Sequence, residues 1–228
     1  MNENTQIVPS VEFGDMIGSG RTAELLESAK PFIELMMQNE CALRELETKL
    51  NVLNDEFSTL YNYNPIESIR TRVKDPMSIV EKMHRKGISP TIENIENTLN
   101  DIAGARVICS FPEDIYTIAD ILCAQDDITL ITRKDYIAEP KPNGYRSLHL
   151  IIGIPIFLST GKKIMKAEVQ FRTIAMDFWA SLEHKLRYKH NVKNPAEISA
   201  KLKECAEGIN DLDYRMQEIR NQIERDSI

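Results

Sequence analysis

Long apolar runs are absent from this sequence, and so is a secretion signal. No stretch of about 18 apolar residues could form a membrane-spanning helix, and Met1 to Ser10 lack the basic and then apolar order of a leader. We therefore expect a cytoplasmic protein that does not bind a membrane.

Cysteine is scarce and scattered. The four cysteines, Cys41, Cys109, Cys123 and Cys205, form no CxxC pair. This spacing indicates reduced thiols in a reducing compartment and argues against a disulfide framework or a structural zinc site. Redox chemistry is not expected.

An excess of positive charge is also missing. The formal net charge of −7 argues against an obligatory nucleic-acid partner, because nucleic acid is usually held by many basic side chains. Any phosphate site must therefore be local. One segment qualifies, since residues 70–86 contain six basic and two acidic side chains.

Several catalytic signatures are not present. Gly14, Gly18 and Gly20 are not followed by Gly-Lys-Ser/Thr, so they indicate a linker, and we interpret residues 1–20 as a flexible tail. The sequence contains no HExxH or GxSxG motif. Zincin-type and serine-hydrolase chemistry are therefore excluded.

Two apolar stripes mark the ends of the chain. Apolar residues recur at spacings of three, four and seven over residues 22–60, and alternate by four and three over residues 195–225. Both patterns predict long amphipathic helices within one domain that covers residues 21–228. We expect these helices to pair, either within one subunit or between subunits.

The middle of the chain, residues 64–190, predicts an α+β core. Strands are expected at 105–111, 128–137, 145–158 and 164–172, and helices at 113–124 and 173–188. Asp75-Pro76 predicts an N-cap with proline at the first helical position, which opens a short helix that ends near Lys86. The basic segment thus spans a helix start.

A lone carboxylate in a strand is the first candidate for chemistry. Alternation places Glu168 and Gln170 on the polar face of the strand 164–172. A charge there must be solvated, paired or bound to a metal. A salt bridge to Arg172 or to a neighbouring strand is one interpretation. The other is a Mg²⁺ site shared with Asp101, which precedes the first predicted strand.

A basic loop is the second candidate. Lys134 and Lys141 flank a Pro-Asn-Gly turn that leads into a strand on which Tyr145, Ser147 and His149 share a face. Tyr145 could stack on a base while the lysines neutralise phosphates. An ordinary hairpin with a packed aromatic is the alternative.

The motifs follow one another in a specific order. They are Arg72-Val-Lys74, Asp101-Ile-Ala-Gly-Ala-Arg106, Lys134-Asp-Tyr-Ile137, Lys141-Pro-Asn-Gly-Tyr-Arg-Ser-Leu-His149, Glu168-Val-Gln-Phe-Arg-Thr173 and Phe178-Trp-Ala-Ser-Leu-Glu-His184. In this order and spacing, over about residues 22 to 225, the sequence resembles the RelA/SpoT synthetase domain in the form of a small alarmone synthetase. The resemblance implies a nucleotidyltransferase-like mixed sheet flanked by helices. It also implies transfer of the β,γ-pyrophosphate of ATP to the 3′-hydroxyl of GDP or GTP.

The resemblance also implies roles for individual residues. Asp101 and Glu168 would bind Mg²⁺, and Glu168 would take the 3′-hydroxyl proton. The ATP-binding set would be Arg72, Lys74, Ser78, Lys82, Arg85 and Arg106. The GDP or GTP set would be Lys134, Lys141, Asn143, Tyr145, His149 and Asp177, with Gln170 alongside. Asp177 departs from the pattern, because some relatives have Asn there near the guanine.

The resemblance further implies a homotetramer assembled through the terminal helices. Long members of the family also carry a hydrolase domain with a His-Asp pair, and none of the four histidines here precedes an aspartate. We therefore expect synthesis of the alarmone without hydrolysis. Two alternatives stay open: an adenosine-nucleotide or tRNA 3′-end acceptor on the same fold, and an inactive nucleotide- or RNA-binding regulator.

Overall fold

A five-stranded sheet lies at the centre of the computed structural model, which describes residues 20–188 and 194–226. The strands are β1 Ile66–Val73, β2 Ala103–Cys109, β3 Thr129–Asp135, β4 Leu148–Leu158 and β5 Gly161–Thr173. The helices are α1 Gly20–Tyr61, α2 Pro76–Arg85, α3 Ile92–Thr98, α4 Pro112–Ala124, α5 Ile174–Tyr188 and α6 Pro195–Asp226. Of the predicted tail, only Gly20 lies among the described residues, where it begins α1.

The sheet is mixed, as the resemblance implied. Its strand order is β1-β2-β5-β4-β3, with β2 and β5 parallel and the other neighbours antiparallel. The register places Glu168 of β5 between Gly104 of β2 and Ile151 of β4. The polar face of β5 is therefore flanked on both sides.

The sequence interpretation missed strand β1 and helix α3. Apolar residues in β1 fall at Ile66, Ile69 and Val73, which is a spacing of three and four rather than two. A register shift between Ile66 and Ser68 explains the broken alternation, since a bulge moves the following side chains to the other face. Asp101 consequently precedes the second strand, not the first.

The core covers one face of the sheet. Alternation on β5 is confirmed, because Ala167, Val169 and Phe171 are fully buried. They pack in one cluster with apolar residues of α1 and α4, such as Leu46 and Ile118. The opposite face, which carries Glu168 and Gln170, is left for polar groups.

The bounds of the terminal helices lie within two residues of the predicted ones. The two helices do not pack mainly on each other. α1 packs on the sheet, and α6 packs on α5 and α4. The face of α6 that is buried carries Ala206, Asp213 and Gln217. Leu202 and Ile209 of its apolar stripe pack against Trp179, while the rest points outward, with Leu212 and Ile219 58% and 51% exposed.

Across the two described ranges, none of the helices combines the length and the apolar character that crossing a membrane requires.

Candidate active site

Two cavities meet at the predicted carboxylates. Each has a volume of about 400 Å³, and Asp101 and Glu168 line both. The arginine cavity is further lined by Arg70, Thr71, Arg72, Gly104, Ala105, Arg106 and Gln170. The lysine cavity is further lined by Lys82, Lys86, Thr98, Asn100, Thr132, Lys134, Tyr136, Lys141, His149 and Ile151. Both volumes lie in the range of small-molecule sites.

Asp101 is held by two ammonium groups. The Nζ atoms of Lys74 and Lys82 each donate to its Oδ2 at 2.7 Å. Burial opposes ionisation of this carboxyl, but the hydrogen bonds and charges of the two lysines outweigh it, so the Asp101 pKa lies below its ordinary value. Its other oxygen, Oδ1, is buried and has no hydrogen-bond partner among the described residues.

Glu168 is held by two side-chain nitrogen atoms. Its Oε1 lies 3.3 Å from His149 Nδ1 on β4, and Gln170 Nε2 donates to its Oε2 at 3.0 Å. Burial again opposes ionisation, but the bonds from His149 and Gln170 outweigh it and lower the Glu168 pKa. The partner on a neighbouring strand is thus His149, while Arg172 binds elsewhere.

These two carboxylates fit a hard divalent cation. Both are ionised at neutral pH, both line the same junction, and the orphaned Oδ1 of Asp101 needs a positive partner. Mg²⁺ commonly takes one or two carboxylates and completes its shell with water and substrate phosphates. The residues present therefore suit Mg²⁺ delivered with a nucleotide.

The arginine cavity owes its charge to the two strands that line it. In the β1–β2 ladder, Arg70 pairs with Arg106, and Arg72 pairs with Gly104. Guanidinium groups bind phosphate oxygens in pairs and stack on flat rings. Ser78 and Arg85, both predicted to bind the donor nucleotide, lie on α2 outside the described linings of the two cavities.

An aromatic cluster adjoins the lysine cavity: Tyr136 and His149 line it, and Tyr145 contacts both from outside its described lining. The rings of Tyr136 and His149 lie 5.2 Å apart, those of Tyr145 and His149 5.9 Å, and all meet edge to face. Lys141 Nζ lies 4.5 Å from the Tyr136 ring centroid and 4.7 Å from that of Tyr145. Tyr136 was not selected from the sequence, although it lies two residues after Lys134, just beyond the end of β3.

Helices α5 and α6 support the loop that carries Tyr145. Asn143 accepts from the Tyr145 backbone N–H at 3.2 Å and donates to Glu183 of α5 at 3.2 Å. Gly144 has φ +89°, and a Cβ there would lie 2.6 Å from Ala206 Cβ of α6. The strand begins at Leu148 rather than Tyr145, and the Ser147 hydroxyl is buried on the Phe171 carbonyl instead of facing the cavity.

Two charged residues, Asp177 and Arg172, line neither cavity but join Arg106 of the arginine cavity to Tyr145, which is bonded to His149 of the lysine cavity. Asp177, predicted near the base, contacts Arg172 Nη1 at 2.9 Å and Arg106 Nη1 at 3.3 Å. Arg172, which the sequence interpretation did not select, donates through Nη2 to the Tyr145 hydroxyl at 2.8 Å. The sequence could have indicated Arg172 as a site residue, because alternation places it on the same face of β5 as Glu168.

Comparison with known proteins gives concordant matches. The model of the region found in RelA/SpoT proteins matches residues 71–207. The GTP pyrophosphokinase YwaC of Bacillus subtilis is 46% identical over 183 residues, which are 80% of this chain and 87% of the relative.

Solved structures agree with the sequence matches. The crystal structure of small alarmone synthetase 1 from Bacillus subtilis bound to its product pppGpp superposes with a TM-score of 0.76 and 38% identity, covering 85% of this chain and 98% of that one. The same protein bound to AMPCPP has a TM-score of 0.70 and 33% identity, covering 86% and 99%.

Proposed function

This chain belongs to the RelA/SpoT family, and on that premise we propose that it is a GTP pyrophosphokinase that makes ppGpp and pppGpp for the stringent response. It transfers the β,γ-pyrophosphate of ATP to the 3′-hydroxyl of GDP or GTP. The observation that carries this function is the meeting of two basic cavities at Asp101 and Glu168. Two nucleotides can bind side by side with their reacting ends at the same carboxylates.

ATP is assigned to the arginine cavity. Arg72 and Arg106 can contact its phosphates or stack on adenine, and Lys74 and Lys82 reach the same junction through Asp101. A relative's structure with the ATP analogue AMPCPP supports ATP as the donor. Ser78 and Arg85 complete the donor set by resemblance alone.

The acceptor nucleotide is assigned to the lysine cavity. By resemblance Tyr145, which is bonded to the cavity residue His149, would stack on guanine, and Lys134 and Lys141, which line the cavity, carry the charge that phosphates need. His149 lies between Tyr145 and Glu168, so it can contact the ribose. Asn143 supports this site through the loop, since its amide is bonded to Glu183.

Glu168 accepts the proton in this scheme. As the 3′-oxygen bonds to the β-phosphorus of ATP, the bond from that phosphorus to the bridging oxygen of the α-phosphate breaks and AMP leaves. The hydroxyl proton passes to the Glu168 carboxylate, which must be within hydrogen-bond reach. Mg²⁺ held by Asp101 and Glu168 would neutralise charge on the transferred phosphates.

The assay for this function is direct. Folded protein with ATP, GDP and Mg²⁺ should release AMP and ppGpp in equal amounts, and GTP should give pppGpp. Replacing the acceptor with ADP or tRNA, alone and in competition with GDP, tests the acceptor class. Transfer to ADP or tRNA in preference to GDP would overturn the guanine assignment, and no AMP with any acceptor would contradict the function.

A change at Gly144 should weaken acceptor binding. Alanine at φ +89° is strained, and its Cβ would press on Ala206, so Gly144→Ala displaces the Tyr145 loop. We expect the KM for GDP to rise about tenfold with the KM for ATP changed far less, which steady-state kinetics with each nucleotide varied in turn will measure.

Gly208→Ala is the matched control, because it lies on the same helix as Ala206 with nothing within 4 Å of the added methyl. It should leave both KM values unchanged. Equal rises in both KM values for Gly144→Ala would mean that the loop does not serve the acceptor alone.

We further propose that the enzyme acts in the cytoplasm as a homotetramer joined through its terminal helices. All four cysteines are free, which suits a reducing compartment. The α6 stripe, defined by Ile198, Leu212, Met216 and Ile219, is exposed, and so are Ile33 and Val52 of α1. Exposed apolar rows of this kind mark contact surfaces.

Charge on the α6 stripe should therefore disrupt assembly. Leu212→Lys combined with Ile219→Lys would bury two ammonium groups in the contact, so light scattering should show the tetramer mass reduced at least twofold. Glu218→Lys, on the same helix but off the stripe, is the control. A monomeric wild-type protein, or a double variant that keeps the tetramer mass, would contradict this assembly.

A further inference from the structure

Asp177 is shared by the two halves of the site. Its Oδ1 lies within ion-pair distance of Arg172 of β5 and of Arg106 of β2, and its side chain is only 14% exposed. Arg106 lines the arginine cavity, to which the proposed function assigns the donor nucleotide. The two guanidinium groups repel each other, and this repulsion, after burial, lowers the Arg106 pKa while Asp177 raises it. One carboxylate thus keeps two close cations together.

Arg172 passes the effect of Asp177 to the acceptor side. Its side chain is 6% exposed, so it belongs to the interior of the site and is fixed by its bonds. Nη1 binds Asp177, while Nη2 donates to the Tyr145 hydroxyl at 2.8 Å and to Gln170 Oε1 at 3.2 Å. The guanidinium also lies 5.2 Å from the Tyr145 ring centroid. Arg172 therefore fixes both the hydroxyl and the ring of Tyr145.

The bonds continue in one direction to the catalytic carboxylate. An arginine only donates, so the Tyr145 oxygen accepts from Arg172 and its own hydrogen is available to His149 Nε2 at 2.8 Å. That arrangement leaves the proton of neutral His149 on Nδ1, which faces Glu168 Oε1 at 3.3 Å. Asp177, through Arg172, thus orients Tyr145 and His149.

We propose that Asp177 and Arg172 are positioning residues that couple the ATP half of the site to the acceptor half. This inference rests on the proposed function for the identity of the two nucleotides. Asp177 holds Arg106 in place for ATP and Arg172 in place for Tyr145. The same oxygen, Oδ1, contacts both arginines, so this positioning role does not require Asp177 to contact the guanine.

The test compares binding of each nucleotide in Asp177→Asn. The amide keeps the shape of the side chain but removes the charge that holds the two arginines, so calorimetry should show affinity for both AMPCPP and GDP reduced by about tenfold. Asp120→Asn is the matched control, since Asp120 pairs with Arg133 at 2.6 Å on the surface outside both cavities. It should leave both affinities unchanged.

Tyr145→Phe separates coupling from stacking. Phenylalanine keeps a ring for the base but cannot accept from Arg172, so it should weaken GDP binding severalfold and leave AMPCPP binding unchanged. Adding it to Asp177→Asn should cost less than the sum of the two single effects in free energy, because both act through Arg172.

The outcomes distinguish coupling through Asp177 from a direct contact with the base, and both from failure of the proposed function. Loss of GDP affinity alone in Asp177→Asn, or strict additivity with Tyr145→Phe, would overturn the coupling and favour a direct contact with the base. A wild-type protein that binds both nucleotides without releasing AMP would reject the pyrophosphokinase function and leave the coupling measurable. Failure of the wild-type protein to bind either nucleotide would reject both.

Discussion

Glu168→Gln should reduce turnover by at least about 10³-fold while both nucleotides still bind, because removing a general base typically costs 10² to 10⁴. The amide cannot accept the 3′-hydroxyl proton, and it would also remove one of the anionic oxygens proposed to hold Mg²⁺. Its carbonyl oxygen can still accept from His149 Nδ1, and only the bond from Gln170 Nε2 to the second oxygen is lost. Release of AMP under saturating ATP, GDP and Mg²⁺ measures the loss, and calorimetry with AMPCPP and GDP measures binding.

A second acidic site provides the control for Glu168. Glu96 forms an ion pair with Lys163 at 2.9 Å, as a carboxylate with a side-chain partner, and it lies outside both cavities. Glu96→Gln should retain wild-type turnover. If Glu168→Gln stays within a few-fold of the wild-type rate, Glu168 is not the base, and if it loses nucleotide binding in proportion to turnover, its role is structural.

Asp101→Asn should produce a loss of similar size with a different signature. The change removes the anionic oxygen that has no partner within the described chain and the charge that Lys74 and Lys82 now neutralise. We expect kcat to fall about 10³-fold, because charge stabilisation at a transferring phosphoryl group is among the largest catalytic terms. The two lysines are then free to contact phosphate, so metal-free ATP should bind as tightly as before or more tightly.

The effect of Asp101→Asn is measured with Mg²⁺ and without it. AMP release is followed across a Mg²⁺ titration, and ATP binding is followed in a chelator, so a destabilised protein is distinguished from one that lacks its metal ligand. Asp127→Asn is the control, since Asp127 pairs with Lys49 at 2.7 Å and neither residue lines either cavity. Weaker ATP binding in the chelator for Asp101→Asn would mean that Asp101 organises the lysines instead of the metal.

The sequence predicted elements well where the periodicity was uninterrupted. Both terminal helices have the predicted bounds, because each has an apolar stripe repeated over many turns. The alternation in β5 correctly separated Glu168 from the buried Val169 and Phe171. Strand β1 was missed, since its bulge gives apolar residues a helical spacing.

Packing partners were harder to predict than elements. The stripe on α6 indicated a helix pair, yet the structure buries Ala206, Asp213 and Gln217 on another face of that helix. An apolar stripe predicts which residues are buried, but it does not predict whether the same chain or another chain covers them. The free stripe is what the tetramer proposal uses.

The sequence by itself indicated the family, the reaction class and the two candidate carboxylates, because these depend on residue types at fixed spacing in one chain. Only the tertiary structure decided that Glu168 pairs with His149, that Lys74 and Lys82 share Asp101, and that Asp177 joins Arg106 to Arg172. These contacts join residues from different strands and helices, and they depend on the order and the register of the strands in the sheet. The local spacing of residues in the sequence predicts neither the strand order nor the register.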